Sequence, residues 1–237
     1  MNKESQRNNN KVMNEYYNKL YNEAVEKILS DSYQTDYLID SPSDNRFGIT
    51  ILIRPDIYIK NEIQKFLDEL KLAEPEQYYY PNSDIHVTVM SIISCYNGFK
   101  LGGISIADYI EVIQQSINAQ KPFSINFTGL TASESCIMVK GFPDDCVLND
   151  IRDNLRSLFK NSGLEQTIDK RYILQTAHST VVRFQKSFTR KNDFLKVMEN
   201  YRNYDFGSFK ADTLELVYND WYQRERFVKI LYEFKMK

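Results

Sequence analysis

Only two histidines occur in the 237-residue chain, and both sit in the same local pattern: His86-Val87-Thr88-Val89 and His178-Ser179-Thr180-Val181. Ten residues are threonine, so finding one two places after both histidines by chance is about two in a thousand. On a strand, side chains two apart share a face and stand roughly 6.5–7 Å apart. Each motif therefore aims an imidazole and a hydroxyl into one space and turns Val87 or Ser179 away. A phosphodiester calls for that set of groups. One imidazole takes a proton from the attacking oxygen and the other gives one to the leaving oxygen. Hydroxyls meanwhile hold the non-bridging oxygens as charge builds up. A single histidine on a strand is usually a packed structural residue; two in matched surroundings argue for a working pair.

The elements around the motifs recur in the same order. In the first half Phe47–Arg54 reads as a strand ending at Pro55-Asp56. A helix follows with Ile57, Ile63, Phe66, Leu67 and Leu70 on one side, and then the strand Asp84–Met90. In the second half Cys136–Gly141 ends at Phe142-Pro143-Asp144, a helix carries Val147, Leu148, Ile151, Leu155, Leu158 and Phe159, and Leu174–Val182 is the histidine strand. Pro-Asp suits both helix starts, since proline pre-sets φ and aspartate caps free N–H groups. The proline-to-histidine spacing is 31 residues in one half and 35 in the other. Each half continues with a helix (106–118 and 192–201) and a β-rich segment (123–131 and 209–218), and 227–234 supplies a last strand. The pattern predicts an α+β fold with internal duplication; if the two halves pack about a pseudo-twofold axis, both motifs converge on one cleft. Residues 1–45 read as an N-terminal helical extension packed on the body, and 46–237 as a single bilobal domain.

The paired motifs, 92 residues apart, resemble those of the two-histidine (2H) phosphoesterase superfamily, in its 2′-5′ RNA ligase-like and cyclic nucleotide phosphodiesterase branch. The likeness covers about residues 46–237. It implies antiparallel sheets lining a central cleft with helices outside, and cleavage of 2′,3′-cyclic or 2′-5′ phosphodiesters of a nucleotide or short RNA without metal or organic cofactor. By the same likeness His86 and His178 are the acid–base pair, and Thr88 and Thr180 bind phosphate. The run His178-Ser-Thr-Val-Val-Arg183 is similar to the H-x-T-L-A-R form of that branch, which makes Arg183 a candidate phosphate contact. Strict alternation points Arg183 away from His178, so this role requires a bulge or a strand end. The first motif departs from the branch, with Met90-Ser91-Ile92-Ile93 where F-L-G is usual.

Tyr80, at the end of Tyr78-Tyr79-Tyr80, and Trp221, in a polar turn, are candidates for stacking on a base; Arg46 is a further candidate contact. Most of the aromatic residues, 14% of the chain, are needed for packing. The net charge of -2 and pI near 5.8 argue against coating nucleic acid by bulk charge. Residues 170–196 nevertheless carry seven basic residues against Asp193 alone, a local net of +6, which is either a solvated face or one wall of a cleft.

Mean hydropathy is -0.50 and no apolar run is long enough for a membrane span. The start lacks the apolar core of a secretory signal. Three cysteines without C-x-x-C spacing suggest neither a disulfide framework nor zinc. P-loop, dinucleotide and serine-nucleophile motifs do not occur. The expectation is a cytoplasmic monomer with no obligate protein partner. Two rival functions stay open: an RNA- or nucleotide-binding module without turnover, and a ligase or transferase running the chemistry in reverse. Acid–base catalysis by a histidine pair predicts a bell-shaped pH profile and indifference to EDTA.

Overall fold

The computed structural model describes residues 3–237, so the first two residues of the expected extension lie outside it. Two antiparallel sheets form the body. Strands β1 (Arg46–Ile53), β3 (Val87–Asn97), β8 (Thr213–Asp220) and β9 (Lys229–Lys235) make a four-stranded sheet in the order β3-β1-β8-β9. Strands β2 (Tyr78–Tyr79), β4 (Phe123–Ala132), β5 (Cys136–Pro143), β6 (Ser179–Arg183) and β7 (Asp205–Ala211) make a five-stranded one in the order β2-β6-β5-β4-β7. Helices α2 (Ile57–Ala73), α3 (Ile106–Ile117), α4 (Val147–Ser162) and α5 (Lys191–Asn200) follow the strands as the duplicated order predicts. The fold is α+β with two antiparallel sheets, and each sheet supplies one histidine motif.

Three landmarks differ from the sequence reading. The first histidine strand, expected at Asp84–Met90, runs Val87–Asn97. The segment expected as one β stretch at 209–218 is two strands that belong to different sheets, β7 and β8, with Asp212 at the crossing. The second histidine strand is shorter than expected: Gly163–His178 carries no regular structure and β6 starts only at Ser179. The Pro-Asp helix starts are also unequal. Asp56 caps α2 by accepting from Ile59 N at 3.0 Å. Before α4 it is Asp145 that accepts from Val147 N, at 2.9 Å, while Asp144 turns to Ser124 N at 3.0 Å in the neighbouring strand. The first acidic residue is spent on the sheet, and the next one along serves the helix.

Helix α1 (Lys3–Leu29) lies against the five-stranded sheet and buries Tyr17, Tyr21, Ala24 and Ile28. Burial of a side chain the size of Ile28 contributes about 1.5–3 kcal/mol. Tyr17 reaches the residue before His178. Its hydroxyl accepts from Ala177 N at 3.2 Å, beside His178, and its carbonyl accepts from Thr131 Oγ1 at 2.8 Å. After the helix, Tyr33 packs edge-on against Phe184 and Phe188, and Asp36 N donates to Phe184 O at 2.7 Å. The extension is thereby tied to the strand that carries the second motif. Among the described residues no helix is long and apolar enough to cross a membrane.

Candidate active site

His86 and His178 each stand one residue before a strand, β3 and β6, and both line a single cleft of about 220 Å³ together with Thr88 and Thr180. The alternation is the one expected. His86, Thr88, His178 and Thr180 are partly exposed to the cleft, while Val87 and Ser179 are fully buried. Ser179 crosses between the sheets, its hydroxyl donating to His86 O at 2.7 Å. The two motifs are therefore in direct contact through their backs.

Both histidine strands carry a bulge at the matched valine. Successive residues Ile51 and Leu52 of β1 pair with Met90 and Thr88, passing over Val89. Likewise Ile137 and Met138 of β5 pair with Val182 and Thr180, passing over Val181. A bulge inserts one residue and reverses the facing of the residues after it. Arg183, five places after His178, consequently lines the cleft, and Ser91, five places after His86, lines it from the other motif. Arg183 Nε donates to Tyr80 Oη at 3.0 Å, and its guanidinium lies 5.4 Å from the Tyr222 ring centre. Tyr80 itself is buried and lines the cleft.

Trp221 also lines the cleft, with the guanidinium of Arg171 at 4.4 Å and that of Arg46 at 4.8 Å from its ring centre. Arg46 is committed elsewhere too: it pairs with Asp44 at 2.8 Å and donates to Tyr222 Oη at 3.0 Å. The basic run at 170–196 does not form a continuous face. Only Arg171 and Arg183 of it line the cleft, Arg190 pairs with Asp193 at 2.6 Å, and Lys191 with Asp31 at 2.6 Å.

The imidazoles are held at Nδ1. His86 Nδ1 lies 2.7 Å from Asp84 O, a carbonyl, so in the neutral ring this nitrogen carries the proton and Nε2 keeps its lone pair. His178 Nδ1 lies 2.8 Å from Thr176 Oγ1, a hydroxyl able to donate or accept, so this ring keeps either tautomer. Desolvation pushes both histidines down to about 4. Cations add to it: Arg54 and Arg183 act on His86, while Arg152, His86 and Arg183 act on His178. In the free protein both rings are thus neutral at pH 7. Cys95 also lines the cleft, but burial pushes its thiol up to about 12, which suits a packed group and not a nucleophile.

Four contributors escaped the sequence reading. Arg152 of α4 is fully buried; its Nε donates to Val89 O at 2.9 Å, and its Nη2 donates to Thr88 O at 3.0 Å and Thr176 O at 2.8 Å. A charged residue in the middle of the helix's apolar stripe was the available signal. Asp36, from the extension, accepts from Tyr222 Oη at 2.8 Å and lies 4.0 Å from Arg183; nothing local in its sequence marks it. Asn219 and Gln223 line the wall beside Trp221. Among the described residues no group of three or more His, Cys, Asp or Glu gathers as a metal-ligand set.

Residues 52–236 match the family described as the AKAP7 2′5′ RNA ligase-like domain. The chain belongs to that family, in the 2′-5′ RNA ligase-like branch of the two-histidine phosphoesterase superfamily. No curated relative matches the chain. Its fold is similar to that of TT0787 from Thermus thermophilus, at TM-score 0.57 and 12% identity over 79% of this chain and 97% of the other. It is similar as well to E. coli LigT complexed with 3′-AMP, at TM-score 0.56 and 14% identity over 81% and 99%. Apo LigT gives TM-score 0.53 at 12% identity over 81% and 98%.

Proposed function

We propose that the chain is a metal-independent phosphodiesterase that opens a 2′,3′-cyclic phosphate or a 2′-5′ phosphodiester of a nucleotide or short RNA. The observation that carries this reading is the meeting of both His-x-Thr motifs, from different sheets, in one arginine-bearing cleft. One imidazole withdraws the proton of a water as its oxygen attacks phosphorus. The other imidazole, protonated, gives its proton to the ribose oxygen as the P–O bond breaks, leaving a phosphomonoester and a free hydroxyl. The Thr88 and Thr180 hydroxyls and the Arg183 guanidinium bind the non-bridging oxygens. In the reverse direction the two histidines exchange roles. LigT binding 3′-AMP is consistent with a nucleotide occupant here.

The test is turnover of a panel of 2′,3′-cyclic nucleotides and 2′-5′-linked dinucleotides by the purified protein in EDTA. Product formation unaffected by the chelator is expected. Activity that disappears with EDTA and returns with a divalent cation would sink the mechanism.

The low histidine pKa values make a second prediction. Catalysis needs one neutral and one protonated ring, and kcat/KM follows the ionisation of the free protein. With both groups near 4, the kcat/KM bell is expected to centre acid of neutrality, at about pH 4. A bound phosphodiester anion offsets the nearby guanidiniums and raises both groups, so the kcat bell is expected to lie to the alkaline side of the kcat/KM bell. Coincident bells, or a flat profile between about pH 5 and 9, would contradict this. One rival reading draws on the same observation: a cleft whose histidines are both neutral at pH 7 suits a nucleotide-binding module, which predicts affinity without product across the whole pH range.

A further inference from the structure

Three guanidiniums pack against the buried ring of Tyr222: those of Arg46, Arg183 and Arg224 lie 5.7, 5.4 and 5.0 Å from its centre. Two of them are engaged by direct ion pairs, Arg46 with Asp44 at 2.8 Å and Arg224 with Asp220 at 2.6 Å. Arg183 is different. It alone of the three lines the cleft, and its charge acts on both imidazoles. Its carboxylate partner, Asp36, stands back at 4.0 Å, and the arginine side chain keeps 17% of its surface exposed. Among the described residues its one hydrogen bond runs from Nε to Tyr80 Oη at 3.0 Å, so both Nη groups keep donors for an anion.

Asp36 comes from the extension, outside the residues 52–236 that match the family, and it is fixed from several sides. Oδ1 accepts from Tyr222 Oη at 2.8 Å and from Leu38 N at 3.2 Å, while Oδ2 is the atom that faces Arg183. The backbone is tied down as well. Gln34 N donates to Glu134 O at 2.7 Å, and Asp36 N donates at 2.7 Å to the carbonyl of Phe184, the residue after Arg183. A flexible arginine loses rotamer freedom when an anion captures it, and fixing it beforehand removes that cost from binding. A direct carboxylate pair would occupy the forked Nη donors that recognise phosphate. A carboxylate set back at 4.0 Å attracts the guanidinium and steadies the ring beside it, yet takes none of those donors.

We infer that Asp36 is a positioning residue for phosphate binding: by holding Tyr222 and attracting Arg183, it keeps the Nη edge of that guanidinium turned to the phosphate. The extension is thereby a working part of the cleft, although Asp36 itself touches no substrate. This rests on the phosphate-binding role given to Arg183 above and adds a residue that the family-matched part of the chain does not contain.

Calorimetry with adenosine 3′-monophosphate tests it on full-length wild type, Asp36→Ala, Arg183→Met and the double variant. Asp36→Ala is expected to weaken binding about tenfold in the wild-type background and by less than about twofold once Arg183 is replaced, because a residue that acts through Arg183 has nothing to act on without it. A general loosening of the fold would weaken binding equally in both backgrounds, and that additive result overturns the inference. Unchanged binding by Asp36→Ala overturns it too, and so does tighter binding, which would show the carboxylate competing with phosphate for the guanidinium. Tyr222→Phe cuts the same link without touching the extension and keeps the test open if Asp36→Ala does not fold. It is expected to give the same non-additive pattern, and an additive loss there also counts against the inference. Failure of the phosphodiesterase reading has its own signature, no turnover of adenosine 2′,3′-cyclic phosphate by wild type, whatever the binding series shows.

Discussion

Replacing His86 or His178 with alanine is expected to lower kcat on a 2′,3′-cyclic nucleotide by about 10²–10⁴-fold, the range that a positioned acid or base contributes. The two losses should not multiply. Once one half of the proton relay is gone, the remaining imidazole has no complementary partner, so His86→Ala/His178→Ala is expected to fall little below either single variant. The folded state should survive. Each ring makes one hydrogen bond through Nδ1, to Asp84 O or Thr176 Oγ1, and faces the cleft. Steady-state kinetics with circular dichroism as a control decides the matter. A variant that keeps more than about a tenth of wild-type kcat would remove that histidine from the relay.

The second large effect belongs to a residue that touches no substrate. Arg152 is buried, no carboxylate pairs with it among the described residues, and its guanidinium gathers the carbonyls of Thr88, Val89 and Thr176. Those carbonyls come from the two motif regions, one of them from the bulge at Val89. Burial is costly for this cation, holding its pKa down to about 10, and the three carbonyl bonds are what offset that cost. Arg152→Met is expected to destabilise the protein by about 2–4 kcal/mol, because it orphans carbonyls that water does not reach. It is also expected to shift the kcat/KM bell toward alkaline pH, since the Arg152 charge contributes to the depressed pKa of His178. Arg152→Lys, which keeps the charge without the fork, should restore the pH optimum more fully than the stability. Urea denaturation midpoints and pH profiles separate the two contributions. A variant without the guanidinium that matched wild type in both would refute the positioning role.

The histidine pair and its threonines were legible because a strand has a period of two, and nothing beyond that period was needed to put them on one face. The paired helices were legible for a similar reason: apolar spacing over 12 or more residues survives any detail of packing, as α2 and α4 demonstrate. Arg183 was half legible. Its likeness to a known motif pointed to the cleft and the alternation rule pointed away, and the bulge at Val181 reconciles them. A bulge is a property of a pair of strands, so one strand read alone does not announce it. Its recurrence at Val89 gives the matched valines of the two motifs a shared place in the backbone. The end of the irregular run, Leu174–His178, reads as strand because it leads without a break into Thr180-Val181-Val182, whereas regular pairing begins only at Ser179. Asp36, Asn219 and Gln223 depended on tertiary neighbours from remote parts of the chain, and no local pattern encodes those.

The hydroxyl of Ser179 that binds His86 O has no counterpart in the other motif, where the equivalent position is Val87. At this one position the contact between the repeated halves runs one way: the second motif donates to the first, and Val87 has no hydroxyl with which to donate back. A chain assembled from two copies of the first half would present two valines at this seam and no such bond. One assembled from two copies of the second would present a hydroxyl from each side. The halves have become complementary parts at this seam, like a bolt and its keeper, and the bond that joins them falls on the backbone of a candidate catalytic histidine.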